Sequence, residues 1–84
     1  MKRSKQEIIA QILEVCLESA SKTRIVYQVN LNFRTINPYL EILVKNNLIE
    51  AGQGEQKLYM TTPKGVDLLE TIKKVNDSLS RNLL

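Results

Sequence analysis

The side chains best suited to recognising a ligand lie in one short stretch of the chain, residues 31–48. Apolar residues recur there at helical spacing, at Ile36, Leu40 and Leu43, which predicts a helix with one buried face. The other positions are largely polar, and arginine and asparagine can each make paired hydrogen bonds to the edge of a nucleic-acid base. The candidates for contacting bases are Arg34, Thr35, Asn37 and Glu41.

A second set of residues could hold phosphate groups. Ser21 is a suitable N-cap, so Lys22, Thr23 and Arg24 would begin a helix whose free N–H groups can also face an anion. Other basic residues lie near the chain start, at the end of the predicted base-reading helix and next to a glycine-rich turn. The phosphate-contact candidates are Lys2, Arg3, Lys5, Lys22, Thr23, Arg24, Lys45 and Lys57.

The distribution of charge supports a partner that is a polyanion. The net charge is +3, and residues 1–64 hold all of the excess, with nine Lys and Arg against six Asp and Glu. Residues 65–84 hold three of each and are neutral. The pattern predicts a basic head at residues 1–64 and a neutral C-terminal segment at residues 65–84 within the same structural unit.

Composition leaves little room for catalysis. The chain has no histidine and a single cysteine, so it offers neither a histidine base nor a cysteine zinc site. Gly52 and Gly54 lack the spacing of a phosphate-binding loop. We therefore expect no enzyme activity, no cofactor and no metal. No apolar run is long enough for a membrane span and the chain start does not read as a signal peptide, so we expect a cytoplasmic, nucleoid-associated location.

The order of the predicted elements defines the fold class. Ser4 can cap a first helix, and Ser21 a second that ends near Asn30. After the predicted base-reading helix, residues 48–51 and 57–61 read as two short strands joined by a polar, glycine-containing turn. Two helices with a tight joint, followed by a hairpin, make a winged helix-turn-helix. The expected class is mainly α with a small β-hairpin (α+β).

Pro38 leaves two placements open for the third helix. A proline inside a helix costs about 3 kcal/mol, because it removes a hydrogen bond and clashes with the preceding turn. In the favoured placement a short turn over 33–36 leads into a main helix from about Asn37 to Asn46. In the alternative the helix begins at Phe33 and tolerates Pro38 near its first turn.

The last helix is predicted to join two copies of the chain. Thr62 can cap it with Pro63 at its first position, and no breaker follows from Gly65 onward. Apolar residues and one asparagine then follow at alternating steps of three and four, which is a heptad seam. The seam residues are Leu69, Ile72, Asn76, Leu79 and Leu83. The first part, Val66 to Leu69, should pack on the head, and the rest of the helix is too long for the head to cover. A second copy of the helix is the expected partner for the rest, and a tail lying back on the head is the alternative.

Three segments resemble those of a known family, namely Ser4 to Ile9, Lys22 to Tyr27, and Tyr59 to Gly65 with its Thr-x-Lys-Gly pattern. The chain is similar along nearly its whole length to the small archaeal winged-helix DNA-binding proteins that dimerise through a C-terminal helix. The resemblance implies a homodimer on double-stranded DNA, with an antiparallel coiled coil joining the heads. It also implies a transcription regulator or a chromatin-like protein.

These observations predict a homodimeric DNA-binding regulator or nucleoid-associated factor. The alternative is a winged-helix docking module in a transcription complex that does not touch DNA, because a fold alone does not decide function. Glu41, Glu50 and Glu55 near the predicted reading surface favour that alternative. On DNA, Glu41 would have to accept a hydrogen bond from a cytosine amino group or lie away from the phosphates.

Overall fold

The computed structural model describes residues 3–83, with side chains described up to Ser78. It consists of four helices, a short 3-10 turn and three strands. In chain order these are α1 (Lys5–Val15), the 3-10 turn (Cys16–Glu18), β1 (Ala20–Ser21), α2 (Lys22–Val29), α3 (Phe33–Lys45), β2 (Ile49–Ala51), β3 (Leu58–Thr61) and α4 (Pro63–Leu83). The predicted class, mainly helical with a small sheet in a winged-helix arrangement, is confirmed.

Short polar side chains fix where the first three helices begin. The Ser4 hydroxyl accepts a hydrogen bond from the N–H of the third helical residue at 3.1 Å, and Ser21 does the same for α2 at 3.2 Å. The Asn32 side chain accepts from the N–H of Thr35 at 2.8 Å. Each cap satisfies a backbone donor that the helix itself cannot, which stabilises it by about 1 kcal/mol.

The favoured placement of the third helix is wrong. A single helix runs from Phe33 to Lys45, and Pro38 is its sixth residue, as in the alternative placement. Ile36 and Leu40 on either side of Pro38 are both buried. Burying two such side chains stabilises the fold by about 1.5–3 kcal/mol each, which outweighs the roughly 3 kcal/mol cost of the proline. Tertiary packing therefore carries the helix through Pro38.

The sheet has a strand that the sequence analysis missed. Its order is β1-β3-β2, with both pairs antiparallel, and β1 places Ala20 opposite Tyr59. β1 has only two residues, so no alternating pattern marks it, and its segment resembles a break between helices. In β3 the residues alternate, with Tyr59 and Thr61 facing the core and Leu58 and Met60 exposed.

The core is shared by all the helices and the sheet. Its fully buried members include Ile12, Leu13, Ile25 and Leu43. The Thr61 hydroxyl donates a 2.7 Å hydrogen bond to the carbonyl of Leu13 and so ties β3 to α1. Cys16 is fully buried, and burial raises the pKa of its thiol to about 12, so it acts as a small apolar residue.

The predicted seam on α4 needs a correction. Leu69 and Ile72 are 3% and 8% exposed, because α4 packs against α1 of the same chain. The burial of Leu69 agrees with the expected packing of the first part of α4 on the head. Ile72 is the correction, because the head covers it too, and heptad spacing identifies an apolar face but not the surface that covers it. Asn76 is exposed, whereas the side chains of Leu79 and Leu83 lie outside the described residues. Within the described part of the chain, no helix is both long and apolar enough to cross a membrane.

Candidate nucleic-acid interface

One side of α3 is exposed and carries most of the predicted base-reading residues. Arg34, Glu41 and Lys45 are exposed on the side opposite the buried stripe, and Asn37 is half-buried next to them. Thr35 lies roughly 160° from Asn37 around the helix axis, at about 100° per residue. The structure thus groups Arg34, Asn37 and Glu41, and it places Thr35 on the other flank of the exposed side, roughly 20° from Ile42.

A cleft lies beside this side of α3, between the helix, the start of α2 and the hairpin. Its volume is about 460 Å³, and we call it the α3 cleft. Its apolar lining includes Leu40 and Val44. Its polar lining is formed by Lys22, Asn37, Glu41, Lys45 and Lys57. Residues from α2, α3 and the hairpin, predicted separately from the sequence, therefore meet at one concave surface.

A second cleft, of about 700 Å³, separates the start of α2 from the hairpin, and we call it the hairpin cleft. It is lined by residues 19–24 and 55–59, which include Thr23 and Arg24. Lys22 and Lys57 line both clefts, so the two form one continuous surface, the basic cleft. The charged side chains along it are Lys22, Arg24, Lys45 and Lys57 together with Glu41 and Glu55. Four cations against two carboxylates favour an anionic partner.

Tyr59 is a member of this site that the sequence analysis missed. It lines both clefts and is only 5% exposed. The Lys57 ammonium lies 5.8 Å from the centre of its ring, within the range of a cation–π contact. The ring therefore helps to hold the hairpin's cation at the cleft. Strand alternation places Tyr59 opposite Leu58 and Met60, but which face meets the cleft depends on the packing of β3 between its two neighbours.

Asn37 has an unusual environment within the α3 cleft. Its side-chain oxygen is buried, and none of the described residues gives it a hydrogen bond. A buried acceptor without a donor costs about 1–3 kcal/mol. Turning the side chain towards the cleft would expose this oxygen to a hydrogen-bond donor and remove that cost.

The basic residues near the chain start lie elsewhere. The Arg3 guanidinium donates to the side-chain oxygen of Gln11 at 2.7 Å, to the carbonyl of Val29 and to the carbonyl of Asn30 at 3.2 Å. Arg3 thus ties the chain start to the end of α2 and lines neither cleft. Lys5 is exposed but lines neither cleft, and Lys2 lies outside the described residues.

The position of α3 is fixed at its C-terminal end by the start of α4. Asn47 adopts the left-handed conformation, with a φ of 61°, and turns the chain into β2. The Lys64 ammonium donates to the carbonyl of Asn46 at 3.2 Å, and the Thr62 hydroxyl donates to the carbonyl of Asn47 at 2.6 Å. These bonds satisfy carbonyls that a helix end leaves without partners.

Comparison with known proteins agrees with this geometry. Residues 2–80 match the family described as Winged helix-turn-helix. The chain belongs to this family. The uncharacterized protein MJ0290 of Methanocaldococcus jannaschii is 40% identical over 76 residues, covering 89% of this chain and 35% of that protein. The uncharacterized protein MJ0287 of the same archaeon is 36% identical over 58 residues, covering 68% of this chain and 60% of that protein. The chain thus spans less than two thirds of the length of both relatives.

Solved structures show the same fold. Sso10a-2, a DNA-binding protein from Sulfolobus solfataricus, is 29% identical with a TM-score of 0.86, covering 96% of this chain and 85% of that one. MepR, a transcription regulator of the Staphylococcus aureus multidrug efflux pump MepA, is 18% identical with a TM-score of 0.77, covering 93% and 59%. At 18% identity, the likeness between MepR and this chain is one of fold alone. The resemblance to archaeal winged-helix proteins predicted from the sequence is confirmed.

Proposed function

We propose that the chain binds double-stranded DNA as a homodimer and acts as a transcription regulator or nucleoid-associated factor without catalysis. The observation that carries the proposal is the basic cleft next to the exposed side of α3. An α-helix fits the major groove of B-DNA, where base edges can be read. Similarity to Sso10a-2 along nearly the whole chain supports the same conclusion.

Each part of the site has a distinct task in this proposal. Lys22, Arg24 and Lys57 lie on α2 and the hairpin, where they would contact phosphates and set the position of the head. Arg34 and Asn37 on α3 would contact base edges. If the Asn37 side chain turns towards the groove, its oxygen, which has no donor among the described residues, would accept a hydrogen bond from a base amino group.

The homodimer rests on the far part of α4. Val75 is 47% exposed and Asn76 is exposed, although both lie on a helix that continues to Leu83. A second copy of this helix would cover such positions and the following leucines of the seam. Two linked heads would also bind DNA more tightly than one, because the second head binds at a raised effective concentration.

A salt series with purified protein and duplex DNA tests the proposal. If two or three of the cleft cations in each head contact phosphates, a dimer makes about four to six contacts. The slope of log K against log salt should then be about −4 to −5. No binding at low salt, or a slope near zero, would contradict the proposal.

A protein-docking role is the second candidate, and the outer face of the sheet favours it. Leu58 and Met60 are each 46% exposed there, next to Glu50. This apolar face lies on the opposite side of β3 from the core. If the chain fails to bind DNA at low salt, this face is the expected binding surface for a protein partner.

A further inference from the structure

Two apolar residues on the exposed side of α3 are unused by the fold. Ile42 is 57% exposed and Pro38, four residues earlier, is also exposed. Residues four apart lie next to each other on a helix surface, so the two form one small apolar strip. The buried stripe of α3 is made by Ile36, Leu40 and Leu43 instead. The core therefore does not account for Pro38 and Ile42.

Charged residues surround this strip. Arg34 precedes Pro38 by one helical turn, and Lys45 follows Ile42 by three residues, and both are exposed. Glu41, three residues after Pro38, is exposed beside the strip as well. An apolar protein surface laid on the strip would have to bury two cations and a carboxylate, which is unfavourable. The DNA major groove suits the whole arrangement, since phosphates line its edges and the thymine methyl is an apolar group on its floor.

We propose that Ile42, supported by Pro38, contacts the C5-methyl group of thymine in the major groove and makes the protein prefer thymine-containing sites. This inference rests on the proposed DNA binding and adds the chemistry of the base that α3 recognises. Arg34 at one end of the strip contacts a base edge and Lys45 at the other end contacts a phosphate, while the strip between them meets the methyl group.

Replacing deoxythymidine by deoxyuridine removes only the methyl group, so it tests the contact directly. Binding of the full chain is measured to a duplex of alternating dA and dT and to its deoxyuridine counterpart at one salt concentration. The wild type should bind the thymine duplex about threefold to fivefold more tightly for each methyl contact, as expected for burying one such group. Ile42→Ala should abolish the difference, and Ile42→Val should retain most of it.

Met60→Ala is the matched control, because Met60 is an apolar residue of similar exposure on the outer face of the sheet. It should keep the wild-type preference. Equal binding of both duplexes by the wild type would overturn the thymine contact but leave DNA binding intact. The thymine contact would also be overturned if Ile42→Ala kept the preference, because the difference in affinity between the two duplexes would then come from the shape or flexibility of the DNA. Failure to bind either duplex would instead contradict the proposed function.

Discussion

The hydroxyl of Thr62 donates a 2.6 Å hydrogen bond to the backbone carbonyl of Asn47 and so joins the end of α3 to the start of α4. The same hydroxyl accepts from the N–H of Gly65 at 3.1 Å, so it also caps α4. If α3 reads DNA and α4 holds the dimer, this junction sets how the two reading helices are placed relative to each other. The Thr-x-Lys-Gly pattern of the sequence thus has a structural explanation.

Removing the hydroxyl at this junction should destabilise the fold. Thr62→Val keeps the shape of the side chain but removes both the bond to Asn47 and the cap on α4. We expect a decrease of about 1–2 kcal/mol in the free energy of unfolding, measured by denaturant titration. Thr71→Val is the control, since the Thr71 hydroxyl bonds only to the carbonyl of Asp67 one turn back on an exposed part of α4. A decrease no larger than that of Thr71→Val would contradict this role of Thr62.

Replacing Gly65 by alanine should lower the free energy of unfolding, whereas the same replacement at an ordinary helical glycine raises it. Glycine to alanine inside a helix normally stabilises it by about 1 kcal/mol. A Cβ at Gly65 would collide with the carbonyl oxygen of Leu48 and with the methyl of Thr61, because α4 approaches the sheet closely here. Gly65→Ala should therefore destabilise the protein by about 1–3 kcal/mol in the same titration. A stabilising result would show that this contact is not tight.

Local signals in the sequence are sufficient to predict the helix starts, whereas features made by distant contacts are not. Ser4, Ser21 and the left-handed Asn47 can be predicted because their effect depends on a few neighbouring residues. β1 cannot, because its two residues are a strand only through pairing with β3. Ile72 shows the same limit on α4, since heptad spacing identifies an apolar face but not the surface that covers it. At the site, Tyr59 is hidden in the same way, because the cleft that it lines is formed by elements far apart in the sequence.

The cations of the basic cleft should contribute to binding through salt-dependent phosphate contacts. Lys22→Ala should weaken binding and reduce the magnitude of the salt slope by about 2, because the dimer loses one phosphate contact in each of its two heads. Lys74→Ala removes the same charge from an exposed position on α4 outside the cleft and should leave the slope unchanged. Equal effects of the two substitutions would show that net charge, rather than the cleft, drives binding.

Substitutions at two arginines should distinguish phosphate contacts, which position the protein, from contacts that read bases. Arg24 lies at the start of α2, and a phosphate contact there carries no sequence information, so Arg24→Ala should weaken binding to every duplex alike. Arg34→Ala should cost about 1–3 kcal/mol more on a preferred site than on random DNA, where a preferred site exists. Competition binding with both kinds of duplex measures the difference. Equal effects on both duplexes would assign Arg34 to phosphate binding and favour a non-specific, chromatin-like role.

The last prediction concerns assembly through the end of α4. The wild type should sediment as a dimer, and changing Leu79 and Leu83 together to Asp should give monomers, because an unpaired charge at a buried seam is strongly unfavourable. Ser78→Asp with Ser80→Asp adds the same charges to the same helix off the seam and should preserve the dimer. Asn76→Leu should raise the melting temperature and loosen the oligomeric state, since a seam asparagine fixes strand number at a cost in stability.

The affinity for DNA should differ between these variants in the same way as their oligomeric state. The monomeric variant should bind more weakly than any single head substitution, because separated heads no longer benefit from each other's binding. The off-seam variant should be affected much less, so the comparison distinguishes the absence of linkage from added negative charge. A wild type that sediments as a monomer at tens of micromolar, roughly the scale at which a short coil associates, would refute the dimer and leave each head to bind alone.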